Sequence, residues 1–252
     1  MRGSAAGIIG KRRPGQTFNN GANRPHFSAP RRPGYSGAMH SPTAPLLRIE
    51  RLSLRWPDGA SQFSDLWLDI GAGVTLLHGD SGSGKTTLLR AIAGDLAADG
   101  RIALRGRSLD DDAARRTRDV GVLDAADARL DALTADGVMA AVRERHGALD
   151  ETAWRRHVDA FGLQPHLAKA MFQLSAGSRR KVALAALLAA RCPLTLLDEP
   201  GGGLDAASLR HLRQALAEAN ADRGRATLVV ATFALDGLEC NATVTLPGQE
   251  SA

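Results

Sequence analysis

The chain has 252 residues, 44% apolar and 23% charged, which is the balance of a soluble globular protein and enough length for one large domain or two small ones. No stretch approaches the ~18 to 20 apolar residues that span a bilayer; the longest, Val182 to Ala190, is flanked by Lys181 and Arg191, so any work at a membrane needs a span supplied by a partner. The net charge of +5 is unevenly placed: seven of the 32 basic residues and none of the acidic ones fall in residues 1–45, leaving 25 basic against 27 acidic elsewhere. The excess therefore belongs to the tail and excludes an argument for nucleic-acid binding by the folded part, so no specific nucleic acid is expected as a partner.

Residues 1–45 are rich in Gly, Pro, Ser, Asn and Arg, with Ile8-Ile9 the sole apolar pair. Too little can be buried there to offset chain entropy, so a disordered basic tail is expected. The tail lacks the apolar core of a secretory signal, and its Pro and Gly density opposes the amphipathic helix of a mitochondrial presequence. Contact with anionic lipid or RNA, and a true start at Met39, remain open beside a solvated tail. The two cysteines, Cys192 and Cys240, have no metal spacing and sit beside apolar segments. Buried free thiols are expected, in a reducing, cytosolic setting.

Folded structure is expected from Leu46. Leu46 to Leu54 and Phe63 to Ile70 alternate like strands around the turn signal Pro57-Asp58-Gly59. Val74 to Leu77 reads as a buried strand, Leu88 to Ala93 as a helix ended by Gly94, and Arg101 to Leu104 and Val120 to Leu123 as further strands. Residues 134–192 read as mostly helical. Val138, Met139 and Val142 make one stripe, Trp154, Val158 and Phe161 the next, and a long helix runs from a Ser175 cap to about Arg191. A strand over Leu194–Asp198, a helix over 206–221, and strands at Thr227–Ala231 and Thr243–Leu246 follow. Alternating strands and helices predict an α/β fold with a parallel sheet, an antiparallel β portion at the start and a helical insertion at about 134–192.

One stretch carries the most specific chemistry: Gly79-Asp80-Ser81-Gly82-Ser83-Gly84-Lys85-Thr86-Thr87, between the strand at Val74–Leu77 and the helix at Leu88. Strand, glycine-rich turn and helix are the context a G-x-x-x-x-G-K-[ST] phosphate loop requires. The glycines let successive N–H groups point into one concavity, and the helix start adds its positive end. Lys85 supplies a point charge for outer phosphates, and the Thr86 hydroxyl suits a Mg²⁺ shell.

The strand Leu194–Asp198 supplies the second half of the site. Its carboxylate falls at the carboxyl edge of a parallel sheet, where such sheets bind ligands. Asp198 is placed to hold Mg²⁺, and Glu199 to accept the proton of an attacking water.

Two further segments complete a resemblance. Leu174-Ser175-Ala176-Gly177-Ser178-Arg179-Arg180-Lys181-Val182, at the start of a helix and before the Asp-Glu strand, resembles the signature segment of ATP-binding-cassette (ABC) ATPases. Leu204-Asp205 is similar to that family's D-loop. The resemblance spans about residues 46–248 and implies a P-loop cassette with a RecA-like sheet, an N-terminal antiparallel portion and a helical subdomain. It also implies ATP and Mg²⁺ as ligands and an active site shared by two cassettes stacked head to tail. Each ATP would lie between one phosphate loop and the partner's Ser175, Ala176 and Gly177, with Asp205 close by. The helical insertion would dock onto an integral membrane permease subunit, which places the protein in the cytoplasm, peripheral on the inner membrane's cytoplasmic face. Trp56 falls where the family sets an aromatic ring on adenine; a core or strand-edge tryptophan is the other reading. The short cassette and the Leu-Ser-Ala-Gly…Arg-Arg-Lys-Val-Ala-Leu-Ala wording are similar to the haem-export ATPases of cytochrome c maturation.

The departures from the family pattern are informative. The signature has Ala176 and Ser178 where Gly and Gln are common. Phe233 stands where the family has a His on the γ-phosphate, and Asp124 or Ala125 where it has a Gln. Phe donates no hydrogen bond, and one lost transition-state donor costs on the order of 10²–10³ in rate. The expected protein is the ATPase subunit of an ABC transporter that binds ATP firmly and hydrolyses it slowly or with a partner's help. The alternatives are a degenerate cassette acting as a regulatory clamp and a soluble nucleic-acid-associated ABC protein.

Overall fold

A computed structural model describes residues 44–122, 124–147, 149–231 and 238–246; the basic tail over 1–43, Leu123 and Phe233 lie outside the described residues. The chain opens with an antiparallel hairpin, β1 (Leu47–Arg55) and β2 (Ser61–Ile70), closed by the Pro57–Gly59 turn, where Trp56 N–H donates to Ala60 C=O at 2.8 Å. The apolar alternation in β1 changes phase, from Leu47 and Ile49 to Leu52 and Leu54. The backbone follows with an irregularity at Arg51, φ 56°, so that all four side chains stay buried. Asp65, φ 54°, does the same in β2 between Phe63 and Leu66.

β3 (Gly73–His78) then leads through the phosphate loop into α1 (Lys85–Ala93). Gly94 ends α1 at φ 88°, donating back to Ala91 and Arg90. β4 (Asp99–Leu104) and the short β5 (Arg107–Ser108) extend the first sheet to the order β2-β1-β4-β5. A helix that the apolar pattern did not announce, α2 (Ala113–Asp119), follows a cap by Asp112, whose carboxylate accepts from Arg115 N–H. The expected strand at 120–123 is shorter than its apolar run, with β6 covering Val120–Gly121.

The second sheet has the order β6-β7-β8-β3-β9 and every pairing in it is parallel; its remaining strands are β7 (Leu194–Asp198), β8 (Ala226–Val230) and β9 (Ala242–Thr245). Between β6 and β7 the chain forms α3 (Ala135–His146), α4 (Glu151–Ala160) and α5 (Ala176–Ala190), capped by Thr134, Asp150 and Ser175. α5 is apolar nearly all round and packs against both α3 and α4. α6 (Ala206–Ala221) returns the chain to β8.

Two cores result, one on each face of the parallel sheet. Leu77, Leu196 and Leu228 join the antiparallel sheet and α1 in one, while Val74, Leu197 and Val229 join α3 to α6 in the other. This explains why the strands of the second sheet read as continuous apolar runs. Cys192 is buried, and burial pushes its thiol up to about 12. Cys240 corrects the expectation of two buried thiols, since it is half-buried beside Thr243. Among the described residues no helix is long and apolar enough to cross a membrane.

The contact between α4 and α6 includes a histidine pair. His157 is 2% exposed, its Nδ1 lies 2.9 Å from His211 Nε2, and Phe161 packs edge-on against the His211 ring with centroids 4.7 Å apart. Burial, then the neighbouring His211 and Arg156, hold the His157 imidazole down at about 4, and His211 is lowered for similar reasons. A histidine whose folded value lies below its unfolded 6.5 favours folding above pH 6.5 and loses that contribution as pH falls toward 4. The loss between pH 7 and pH 5 is about 2 kcal/mol for His157 alone, or a melting midpoint lower by roughly 5 °C. Thermal unfolding at the two pH values checks this, and His157→Gln should make the difference smaller, with His211 and His146, also lowered by burial, retaining the rest.

Candidate functional site

The phosphate loop is shaped by its glycines and folded over by its lysine. Gly84 sits at φ 90° immediately before α1, a left-handed conformation that side chains with a Cβ disfavour. A Cβ there would also lie 2.6 Å from Gln62 Nε2 and 2.8 Å from the Phe63 ring, so β2 closes directly onto the loop. Ser83 N–H donates to Asp80 C=O at 3.1 Å, curling the loop, and Ser83 is buried. Lys85 Nζ bends back to Gly79 C=O at 2.6 Å and Asp80 C=O at 2.8 Å, with Ser83 Oγ at 3.5 Å. Its charge is thereby held over the concavity that Gly79 to Thr87 encloses. α1 has no acidic residue in its first turn, which leaves its positive end uncompensated.

The strand edge meets this loop across a sequence separation of 112 residues. Thr86 Oγ–H donates to Asp198 Oδ2 at 2.7 Å. A hydroxyl and a carboxylate at hydrogen-bond distance form the all-oxygen pair that a small hard cation takes. Glu199 follows at φ 45°, in the left-handed region, with its N–H donated to Val230 C=O at 2.9 Å. A non-glycine residue held there costs of order 1–3 kcal/mol, and such strain concentrates at functional positions. The pairing of Asp198 with Val230 in β8 and the bond from the Glu199 N–H to Val230 C=O keep it in place.

Trp56 lies on the hairpin turn, 36% exposed, and is not a core residue. Its Nε1–H donates to Gln62 Oε1 at 3.3 Å, while Gln62 Nε2–H donates to Gly82 C=O at 3.3 Å. One amide thus links the indole to the phosphate loop. Gln62 escaped the sequence reading because it occupies an ordinary outward strand position; the link became visible only when the loop folded beside it.

The signature turn caps α5 as its residues require. Ser175 Oγ accepts from Ser178 N–H at 3.2 Å and donates to Ser178 Oγ at 3.0 Å, leaving exposed Ala176 and half-buried Gly177 at the helix start. Within the chain this turn packs on the segment around Gly203, where a Gly177 Cβ would come within 2.9 Å of the Gly203 carbonyl oxygen. Asp205 caps α6 through Ser208 N–H at 2.8 Å and pairs with Lys181 Nζ at 2.5 Å. Those bonds hold its carboxyl well below the usual carboxylate range. Where the family pattern has a Gln, Asp124 accepts from Ala126 N–H at 2.8 Å and Ala125 C=O accepts from Arg179 Nε at 2.9 Å. Arg179 also reaches Asp131 at 2.6 Å, so the segment is tied to α5 by a guanidinium. The expectation at Phe233 lies outside the described residues.

Residues 63–202, more than half of the chain, match a family model described as ABC transporter. The chain belongs to the ABC transporter family. The cassette is 32% identical over 211 residues to the phosphonates import ATP-binding protein PhnC of Burkholderia pseudomallei, covering 75% of this chain and 68% of that protein. It is 36% identical over 197 residues to the cytochrome c biogenesis ATP-binding export protein CcmA of Paramagnetospirillum magneticum, covering 76% and 86%. A solved structure titled as the ATP binding subunit of an ABC transporter superposes with a TM-score of 0.68 at 23% identity, over 80% of this chain and 85% of that one, which shows the fold. The cassette is an ATP-binding subunit of the ABC type, in a family that hydrolyses ATP, and its relatives span import and export.

Proposed function

We propose that this cassette binds ATP with Mg²⁺ and hydrolyses it at a head-to-tail interface with a second cassette, driving an integral membrane permease on the cytoplasmic face of the inner membrane. The observation that carries the reading is the 2.7 Å bond from Thr86 to Asp198, which unites the phosphate loop with the acidic strand edge. Thr86 and Asp198 would hold Mg²⁺, whose contribution is to neutralise phosphate charge. Lys85 and the amides of Gly79 to Thr87 bind the phosphates, and Trp56 stacks on adenine. Glu199 orients the attacking water and takes its proton on a carboxylate oxygen. Ser175, Ala176 and Gly177 serve the partner's ATP as donors at a helix start, with Asp205 beside them. The folded unit begins near residue 46, and the helical insertion at about 134–192 faces the permease. Phe233 and the segment Asp124-Ala125 withhold two polar contacts that the family pattern contains, which makes hydrolysis slow.

Phe233 also favours a second reading, a cassette that clamps ATP beside an active partner. ATP turnover of the purified protein, with Mg²⁺ and with EDTA, beside Phe233→His, separates the two. The expected result is slow Mg²⁺-dependent turnover that Phe233→His raises at least severalfold. Firm ATP binding without turnover in either protein would give the clamp reading preference.

A further inference from the structure

Between Glu199 and α6 the chain reads Pro200-Gly201-Gly202-Gly203-Leu204-Asp205. Three consecutive glycines have more backbone freedom than any other residues and no side chains with which to hold one shape. The loop's own bonds are two turns, Gly202 N–H to Glu199 C=O at 3.1 Å and Leu204 N–H to Gly201 C=O at 3.2 Å. At its head Glu199 holds a left-handed φ of 45°, which the surroundings must impose.

The surroundings are the first turns of α5. The Arg180 guanidinium donates to Gly202 C=O, and the Lys181 ammonium pairs with Asp205 Oδ2 at 2.5 Å. Lys181 is largely buried, its side chain 16% exposed. Asp205 passes the restraint on to α6, accepting Ser208 N–H at 2.8 Å and the Ser208 hydroxyl at 3.1 Å. The approach is close on both sides of the loop. A Cβ on Gly177 would meet Gly203 O at 2.9 Å, and one on Gly202 would meet Arg180 Nη1 at 2.6 Å. Two cations on one helix therefore grip the middle of the segment at Gly202, whose N–H bonds to Glu199 C=O, and its far end at Asp205.

The geometry points to Arg180 and Lys181 as positioning residues that hold the glycine loop, and through it Glu199, against the start of α5. The assignment rests on the reading of Glu199 as the base. Neither side chain touches the reacting atoms, and each acts through the loop backbone.

Lys181→Met keeps the chain length and removes the charge, whereas Lys181→Arg keeps the charge. Lys181→Met and Arg180→Met are each expected to lower kcat about tenfold, with KM and fluorescent-ATP affinity changing less than about twofold. Lys181→Arg should recover most of the loss. In a Glu199→Gln background Lys181→Met should lower the residual turnover no further, since a residue acting through Glu199 has nothing left to position. A merely structural role would repeat its full effect there. Independently of turnover, amide hydrogen exchange at 201–205 should quicken about tenfold in Lys181→Met while exchange at 79–87 is unchanged. Unchanged exchange at 201–205 would overturn the grip itself. Faster exchange with undiminished kcat would overturn its catalytic consequence. Parental turnover in Glu199→Gln would overturn the inference together with the assignment of Glu199.

Discussion

Glu199→Gln is expected to lower kcat by about 10²–10³ while ATP affinity stays within about twofold. The substitution preserves shape and the strained backbone, because the bond from residue 199 N–H to Val230 C=O at 2.9 Å does not involve the side chain. It removes only the ability to take up a proton. The phosphate loop, Lys85 and the Thr86–Asp198 pair are untouched, so binding should persist. With hydrolysis stopped and ATP retained, two cassettes should stay associated. On the proposed head-to-tail reading, gel filtration with ATP and Mg²⁺ should then show a dimer for Glu199→Gln and less of it for the parent protein. Steady-state hydrolysis and equilibrium nucleotide binding, measured on the same preparations, check the split. A parallel loss of binding and turnover would mean that residue 199 supports the site's structure rather than its chemistry.

Lys85→Met should act on the other half of the site and in the opposite sense, removing affinity first. Lys85 Nζ is held at 2.6 and 2.8 Å from two loop carbonyls, so its charge is placed before any ligand arrives and little side-chain freedom remains to be lost. Charge-assisted hydrogen bonds are each worth about 1.5–3 kcal/mol, so losing one corresponds to a loss of ATP affinity of about 10- to 10²-fold. Arginine should not rescue it, because a planar fork cannot occupy the compact position between Gly79 and Asp80 carbonyls. Isothermal titration with ATP gives the affinity. An unchanged melting midpoint without nucleotide would separate this effect from collapse of the loop.

How far the sequence foretold these sites depends on whether the signal was local. The phosphate loop, Ser175 as the α5 cap and α6 over 206–221 were legible because each is written in consecutive residues with their own physical logic. Asp198 was legible because an apolar run that ends in a carboxylate names its own sheet edge. α2 was not legible. Its buried residue is Arg115, whose guanidinium donates to Leu104 and Ser108 carbonyls, so no apolar stripe marks the helix. The bridges from Gln62 to Gly82, from Arg179 to Ala125 and from His157 to His211 join positions 20 to 54 residues apart. Polar side chains at that separation carry no period, and their partners emerge only when the two sheets and the helices are assembled. The phase changes at Arg51 and Asp65 were present in the sequence as interrupted alternation, yet alternation alone does not say whether a strand bulges or ends there.

The order of the parallel sheet has a consequence for how such a protein can be altered. The helical segment leaves the sheet after β6 and re-enters it at β7, and these two strands are hydrogen-bonded neighbours with Val120 opposite Leu194. Its entry and exit are therefore one strand spacing apart, about 4.8 Å. A segment with adjoining ends can be lengthened, trimmed or exchanged as a cartridge without shifting the register of any strand. The signature turn and the Arg180–Lys181 grip lie inside this segment, but Thr134 and Ala170 form a further antiparallel bridge ahead of them, so transplanting only residues 135–169 into another cassette should hand over whatever that face recognises while leaving the host's ATP chemistry in place.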